Sequence, residues 1–91
     1  MVTTKRERLK VIYDILKIIK EHHNAIKPTP LLRISNLSFT SFSEYEQELL
    51  QKDFIRILGD STRKEYTLTD KGFKYLEKYK VIIEFISEFE L

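Results

Sequence analysis

Apolar residues recur along this chain with two different periods, and each change of period marks a new element. Leu9, Ile12, Leu16 and Ile19 repeat at helical spacing, with Val11, Ile15 and Ile18 widening the arc. That breadth predicts a first helix covered on more than one side. Thr4-Lys5-Arg6-Glu7 has the form of a capping box, so the helix is expected to start there, and His22-His23-Asn24 ends it. Ala25-Ile26-Lys27 reads as short and extended. Thr29-Pro30 then offers an N-cap residue and a proline at the first helical position, where the missing N–H costs nothing. A short second helix is expected from Pro30 through Leu31, Leu32 and Ile34, closed at Ser35-Asn36 by a residue that tolerates the left-handed conformation.

Ser38 or Thr40 is placed to cap a third helix, in which Phe42, Tyr45, Leu49 and Leu50, with Phe39 just before them, form the arc that faces the core. The period then shortens. Phe54-Ile55-Arg56-Ile57-Leu58 is too short and too β-branched for a helix, residues 59–64 are a polar turn, and Glu65-Tyr66-Thr67-Leu68-Thr69 alternates as a return strand. Thr69 caps a last helix, with Asp70 favourable in its first turn. Its apolar positions run Phe73, Tyr75, Leu76, Tyr79, Ile82, Ile83, Phe85, Ile86, Phe89, and nothing breaks it before Leu91. About twenty residues at ~1.5 Å each span roughly 30 Å, longer than a hairpin and three short helices can cover. The second half of that helix therefore needs another partner. A homodimer is expected through Tyr79, Ile82, Ile83, Phe85, Ile86 and Phe89, antiparallel or crossing given so short a seam.

Helix, turn, helix and two-stranded wing in that order define the expected fold. It is mainly α with a small β-hairpin, a winged helix-turn-helix carrying a long, coiled-coil-like C-terminal helix. With 91 residues the chain is expected to form one domain. Its head covers about 4–72 and its dimerisation helix about 70–91.

Composition narrows the function. With 42% hydrophobic and 33% charged residues the chain is neither disordered nor membrane-spanning, since no apolar run approaches the ~20 that a bilayer helix needs. The charged N-terminus shows no secretion signal, so a cytoplasmic protein is expected, nucleoid-associated if it binds DNA. There are no cysteines, which excludes disulfides and thiolate chemistry. His22 and His23 point about 100° apart on a helix and lack a third ligand, so no metal site is expected. No glycine-rich phosphate loop, nucleophile elbow or pair of carboxylates in an apolar setting occurs, and the chain is read as a non-enzyme without a cofactor. Net charge is only +2, but it is unevenly spread. Residues 1–33 hold eight Lys/Arg against three acids, and residues 34–70 hold four against seven. Lys5, Arg6 and Arg8 sit at the positive end of the first helix dipole, which suggests an outside anion.

Stepping 100° per residue along the third helix puts Thr40, Ser43, Glu44, Gln47 and Gln51 opposite its core arc, on the face that a winged helix lays into the major groove of double-stranded DNA. Thr40, Ser43, Glu44 and Gln47 are the base-facing candidates, and Gln47 is the best reader because a carboxamide pairs with both N6 and N7 of adenine. Lys27, Arg33, Ser41, Arg63 and Lys64 are the phosphate candidates, the last two at the hairpin tip. Glu44, Glu46 and Glu48 oppose this reading, because carboxylates beside phosphates repel.

The tract Leu31-Leu32-Arg33-Ile34-Ser35-Asn36-Leu37-Ser38-Phe39, followed by Tyr66-Thr67-Leu68-Thr69, Lys71-Gly72, Leu76, Tyr79 and Ile83, resembles the archaeal winged-helix family of small DNA-binding proteins over nearly the whole chain. The resemblance implies a winged-helix domain whose final helix pairs two subunits on duplex DNA, as a transcription regulator or a nucleoid protein. Two departures stand out. Pro28 and Pro30 flank Thr29 ahead of the second helix, and Glu46 occupies a position that is aliphatic in the family pattern. The alternatives to a sequence-preferring regulator are a protein-docking module, whose acidic third-helix face around Glu44 and Glu48 meets a basic partner, and a sequence-independent architectural protein.

Overall fold

The computed structural model describes the backbone from Lys5 to Leu91 and the side chains from Glu7 onward. Its elements are α1 (Lys5–Glu21), α2 (Pro28–Ser35), α3 (Phe39–Gln51), β1 (Ile55–Leu58), β2 (Glu65–Leu68) and α4 (Asp70–Glu88). The strands pair antiparallel, Ile55 opposite Leu68 and Leu58 opposite Glu65, and an isolated bridge joins Ile26 to Tyr66 of β2. The expected class therefore stands: mainly α, with one hairpin. The capping box expected at Thr4 lies outside the described residues.

Four element boundaries differ from expectation. β1 begins at Ile55 and not Phe54, and β2 ends at Leu68 and not Thr69. α2 starts two residues earlier, at Pro28, with Lys27 as an N-cap whose side chain makes no capping bond. Both prolines then fall in the first turn, where backbone N–H groups have no helical acceptor to lose, so Thr29 is carried into the helix rather than capping it. α4 stops at Glu88, not Leu91. Glu90 takes a left-handed φ of 55°, and the Leu91 amide closes back on the Ile86 carbonyl at 2.9 Å, the arrangement that satisfies the last carbonyls of a helix. α3 ends the same way, with Asp53 at φ 61° and the Phe54 amide on the Leu49 carbonyl at 2.9 Å. The other local signals hold. Asn36 is the left-handed C-cap of α2, Ser38 caps α3 and Thr69 caps α4.

The core is built on the buried stripe of α1, Ile12, Ile15, Leu16 and Ile19, against Leu31 of α2, Phe42 and Leu49 of α3, Ile55, Tyr66 and Leu68 of the hairpin, and Leu76 of α4. The chain between α1 and α2 is sewn to the sheet. The Leu68 amide donates to the Asn24 Oδ1 at 2.7 Å, and Ile26 and Tyr66 exchange amide and carbonyl bonds at 3.2 and 2.8 Å.

α4 leaves the head through one junction. The Thr69 Oγ1 donates to the Asp53 carbonyl at 2.5 Å and accepts from the Gly72 amide at 3.1 Å, while the Thr69 amide donates to the Phe54 carbonyl at 3.1 Å. That second carbonyl presses on the first turn of α4: a Cβ at Gly72 would lie 2.3 Å from the Phe54 oxygen. Glycine is required there by close approach, because its φ is ordinary. Beyond the junction an aromatic column clamps the helix to the head. Phe54 packs edge-on to Tyr75 at 5.3 Å, Tyr75 stacks on Tyr79 at 5.9 Å, and Tyr79 meets Tyr13 of α1 at 4.9 Å. The Tyr75 hydroxyl donates to the Leu9 carbonyl at 2.7 Å, and burial pushes its pKa up to about 12, with the Tyr79 hydroxyl adding to the shift and Arg8 opposing it.

Glycine to alanine inside a helix normally gains about 1 kcal/mol. At Gly72 the sign should reverse: Gly72→Ala is expected to lose roughly 2–4 kcal/mol as the methyl group forces α4 off the Phe54 carbonyl. Urea unfolding followed by circular dichroism measures it, and an unchanged or raised midpoint would show that the junction gives way easily.

Candidate functional site

The outward side of α3 is flanked by α1 next to Ser41 and Glu44, and by the start of α2 and the hairpin next to Ser43. Thr40, Glu44, Gln47 and Gln51 are exposed there, and Ser43 and Ser41 are half-buried. The Ser41 amide donates to the Ser38 Oγ at 3.1 Å, which leaves the Ser41 hydroxyl at the helix start. Of the phosphate candidates, Lys27 and Arg33 stand exposed on the α2 side and Arg63 is exposed at the hairpin tip. The tip is held rigid by Asp60, whose Oδ1 accepts from the amides of Thr62 and Arg63 at 2.9 and 3.0 Å and from the Thr62 hydroxyl at 2.7 Å. Those bonds, the hydroxyl first, hold the Asp60 carboxyl below its usual range. Gly59 opens the turn at φ 84°, and a Cβ there would strike the Arg63 carbonyl at 2.2 Å.

Lys64 behaves differently from Arg63. It is turned inward, with its Nζ 3.4 Å from a Glu46 carboxylate oxygen and 5.4 Å above the Tyr66 ring. The same Glu46 oxygen accepts a short hydrogen bond from the Tyr66 hydroxyl. This accounts for a carboxylate on the flank of an apolar arc: Glu46 is the acceptor that the 1%-exposed Tyr66 needs for its buried hydroxyl. Glu48 is committed as well. It receives the Arg8 guanidinium in an ion pair across to α1, and Lys52 at 2.7 Å along its own helix. Arg8, which by its place in α1 suggested an outside anion, has found an inside one. Of the three glutamates on α3, Glu44 alone stands exposed.

Phe39 is not in the core. It begins α3, just ahead of the apolar arc, with its ring 73% exposed. Helical geometry contains the signal: Phe39 is four residues before Ser43, on the row that borders the polar face, and lies well off the line through Phe42 and Leu49.

The other candidate surface is the far half of α4. Val81, Ile82, Ile83, Phe85 and Phe89 are each at least 40% exposed, Ile86 is half-buried, and Phe85 and Phe89 lie against each other at 4.9 Å. Tyr79, predicted to join this seam, is 8% exposed and already covered by Tyr13 and Tyr75 within the chain. No helix among the described residues is long and apolar enough to cross a membrane. His22 sets its Nδ1 2.8 Å from the Ile18 carbonyl, and His23 stands exposed at φ 60°.

Comparison with known proteins places this geometry. The sequence pattern described as winged helix-turn-helix matches residues 5–87. Two proteins of Methanocaldococcus jannaschii, both named as uncharacterized, are similar over most of the chain. MJ0290 is 34% identical over 84 residues, 92% of this chain and 37% of its own length; MJ0287 is 31% identical over 83 residues, 91% of this chain and 79% of its own. The chain thus spans little more than a third of MJ0290. Among solved structures, Sso10a-2, a DNA-binding protein from Sulfolobus solfataricus, superposes with a TM-score of 0.77 at 17% identity, over 90% of this chain and 83% of that one. MepR, a transcription regulator of the Staphylococcus aureus multidrug efflux pump MepA, superposes with a TM-score of 0.72 at 18% identity, over 86% and 59%. At such identities the likeness is one of fold.

If Glu46 is the acceptor for Tyr66, its loss strands a buried hydroxyl. Glu46→Ala is expected to lose about 1–3 kcal/mol of stability in chemical unfolding, and distinctly less in a Tyr66→Phe background where no hydroxyl is left behind. Equal losses in both backgrounds would mean that the two side chains are not coupled.

Proposed function

This chain belongs to the winged helix-turn-helix family, and from that premise we propose that it is a transcriptional regulator that binds duplex DNA as a homodimer. The observation that carries the reading is the state of α3. Its outward polar side chains are uncommitted, whereas two of its three carboxylates are neutralised by Lys64 and by Arg8 with Lys52. A face that looks acidic in sequence is therefore much less so in space, and the objection to placing it beside phosphates shrinks to Glu44. The printed descriptions of the two structural relatives, a DNA-binding protein and a transcription regulator, agree with this use of the fold.

In the proposed complex α3 enters the major groove with Gln47 at an adenine edge and Thr40, Ser43 and Glu44 at neighbouring positions. Lys27, Arg33 and Ser41 hold phosphates on one side and Arg63 on the other. Lys64 serves in second place, since it must first leave Glu46. The exposed end of α4 supports the homodimer: a row of Ile82, Ile83, Phe85 and Phe89 on a helix that projects from the head is a contact surface that a lone subunit leaves in water. The docking alternative has a narrower basis, because Glu48, one of its two anchors, is already paired. The chemistry proposed is recognition, without catalysis or cofactor.

Two measurements test this. Titration of the intact protein against a duplex should give a log K that falls with log salt at a slope of roughly −5 to −7, the value for two heads that each neutralise three or four phosphates. A flat response would end the DNA reading, and competition with random duplex separates a sequence-preferring regulator from an architectural coat. Like charges placed in the seam, as in Ile82→Glu with Phe89→Glu, should leave a folded head of half the solution mass by light scattering. A mass unchanged from the unsubstituted protein would remove α4 from the interface.

A further inference from the structure

Phe39 is the most exposed large apolar side chain among the described residues, and it belongs to α3 rather than to the α4 patch that dimerisation would cover. Ser38 and Thr40 flank it in sequence, Ser43 follows one turn on, and Pro28 and Thr29 of α2 border the same shallow hollow on the side toward Lys64. An isolated ring held at the start of a helix, on the border of that helix's polar face, is positioned to meet an apolar group on whatever the face engages.

The rest of α3 says which group that is. Between Phe39 and Gln51 there is no lysine or arginine. Guanine is read in the major groove chiefly by those two cations, so this helix lacks the usual means of selecting G·C pairs. It offers instead the carboxamides Gln47 and Gln51, which match the N6 and N7 edge of adenine, and one aromatic ring, which matches the 5-methyl group of thymine. Both halves of an A·T preference are present on one helix face.

Building on the DNA-binding reading, we infer that Phe39 is a specificity-determining residue that packs on the 5-methyl group of a thymine in the major groove, which directs the protein to A·T-rich sites. The eight residue rises from Phe39 to Gln47 span about 12 Å of helix, and base steps are about 3.4 Å apart. The thymine under Phe39 therefore lies three to four steps from the adenine under Gln47.

Removing the methyl group alone tests the contact. The intact protein is titrated against a short duplex built only of A·T pairs, and against the same duplex with deoxyuridine in place of every thymidine, which keeps the base pairing and deletes the methyl groups. The unsubstituted protein should bind the thymidine duplex more tightly, by roughly fourfold for each head engaged, the value of one buried methyl. Phe39→Ala should bind the two duplexes equally, at the level of the uridine duplex, and Phe39→Leu should recover part of the ratio. The ring is exposed, so both variants should keep the parent's thermal midpoint. Equal and tight binding of both duplexes by the unsubstituted protein would overturn the inference and leave DNA binding intact. A Phe39→Ala variant that binds more weakly but keeps the full thymidine-to-uridine ratio would overturn it too, as would one whose self-association falls while its duplex affinity is unmoved. Failure to bind either duplex or a G·C-rich control at low salt would overturn the DNA-binding reading itself, and the role of Phe39 with it.

Discussion

Everything that extends from the head is oriented by one close contact, the Phe54 carbonyl against the first turn of α4. Thr69 and Gly72 make that contact. The threonine closes the base of the hairpin from both sides, taking the Asp53 carbonyl with its hydroxyl and the Phe54 carbonyl with its amide, and at the same time caps the helix that begins beside it. One residue thus fixes three things: where α3 has ended, where the wing returns, and the direction in which α4 departs. The aromatic column from Phe54 through Tyr75 and Tyr79 to Tyr13 then holds that direction for two turns. Past Tyr79 the described residues cover the helix only in part, beside Glu7 and Lys10 of α1, and Val81, Ile82, Ile83, Phe85 and Phe89 are left exposed.

Charge in this molecule is best understood by pairing rather than by count. Residues 34–70 have an excess of acids, yet Glu46 and Glu48 serve as internal acceptors, one for a buried tyrosine hydroxyl and a wing lysine, the other for an arginine of α1. Buried and half-buried polar groups must find partners, and the partners here come from elements distant in sequence. The polar surface left over on α3 is consequently hydroxyl, carboxamide and a single carboxylate, bordered by the exposed Phe39 ring.

Much of the fold was legible from local signals. The stripe of α1 from Ile12 to Ile19, the asparagine that ends α2, the Ser38 and Thr69 caps and the alternation of β2 are each decided within a few residues and appear where the pattern put them. Leu9, the first member of that stripe, stands exposed. The misjudged points depend on longer reach. Nothing local says that Pro28 and not Pro30 begins α2, since both satisfy the first turn and the surrounding packing chooses. The last three residues resemble helix until the carbonyls of α4 need amides and Leu91 turns back to supply one. Tyr79 reads as part of the outer seam because Tyr13, which covers it, lies sixty-six positions away. The site was legible as a face and not as a set of free groups, because hydropathy does not reveal that Lys64 is turned toward Glu46.

That inward lysine also bears on how the sequence can drift. Glu46, Tyr66 and Lys64 sit on separate elements and support one another, so a lineage that exchanges the carboxylate for an aliphatic residue strands a hydroxyl and releases a cation in a single step. The three positions should therefore be inherited as a unit: an aliphatic residue at 46 travels with phenylalanine at 66, and the amino acid at 64 is then free to wander.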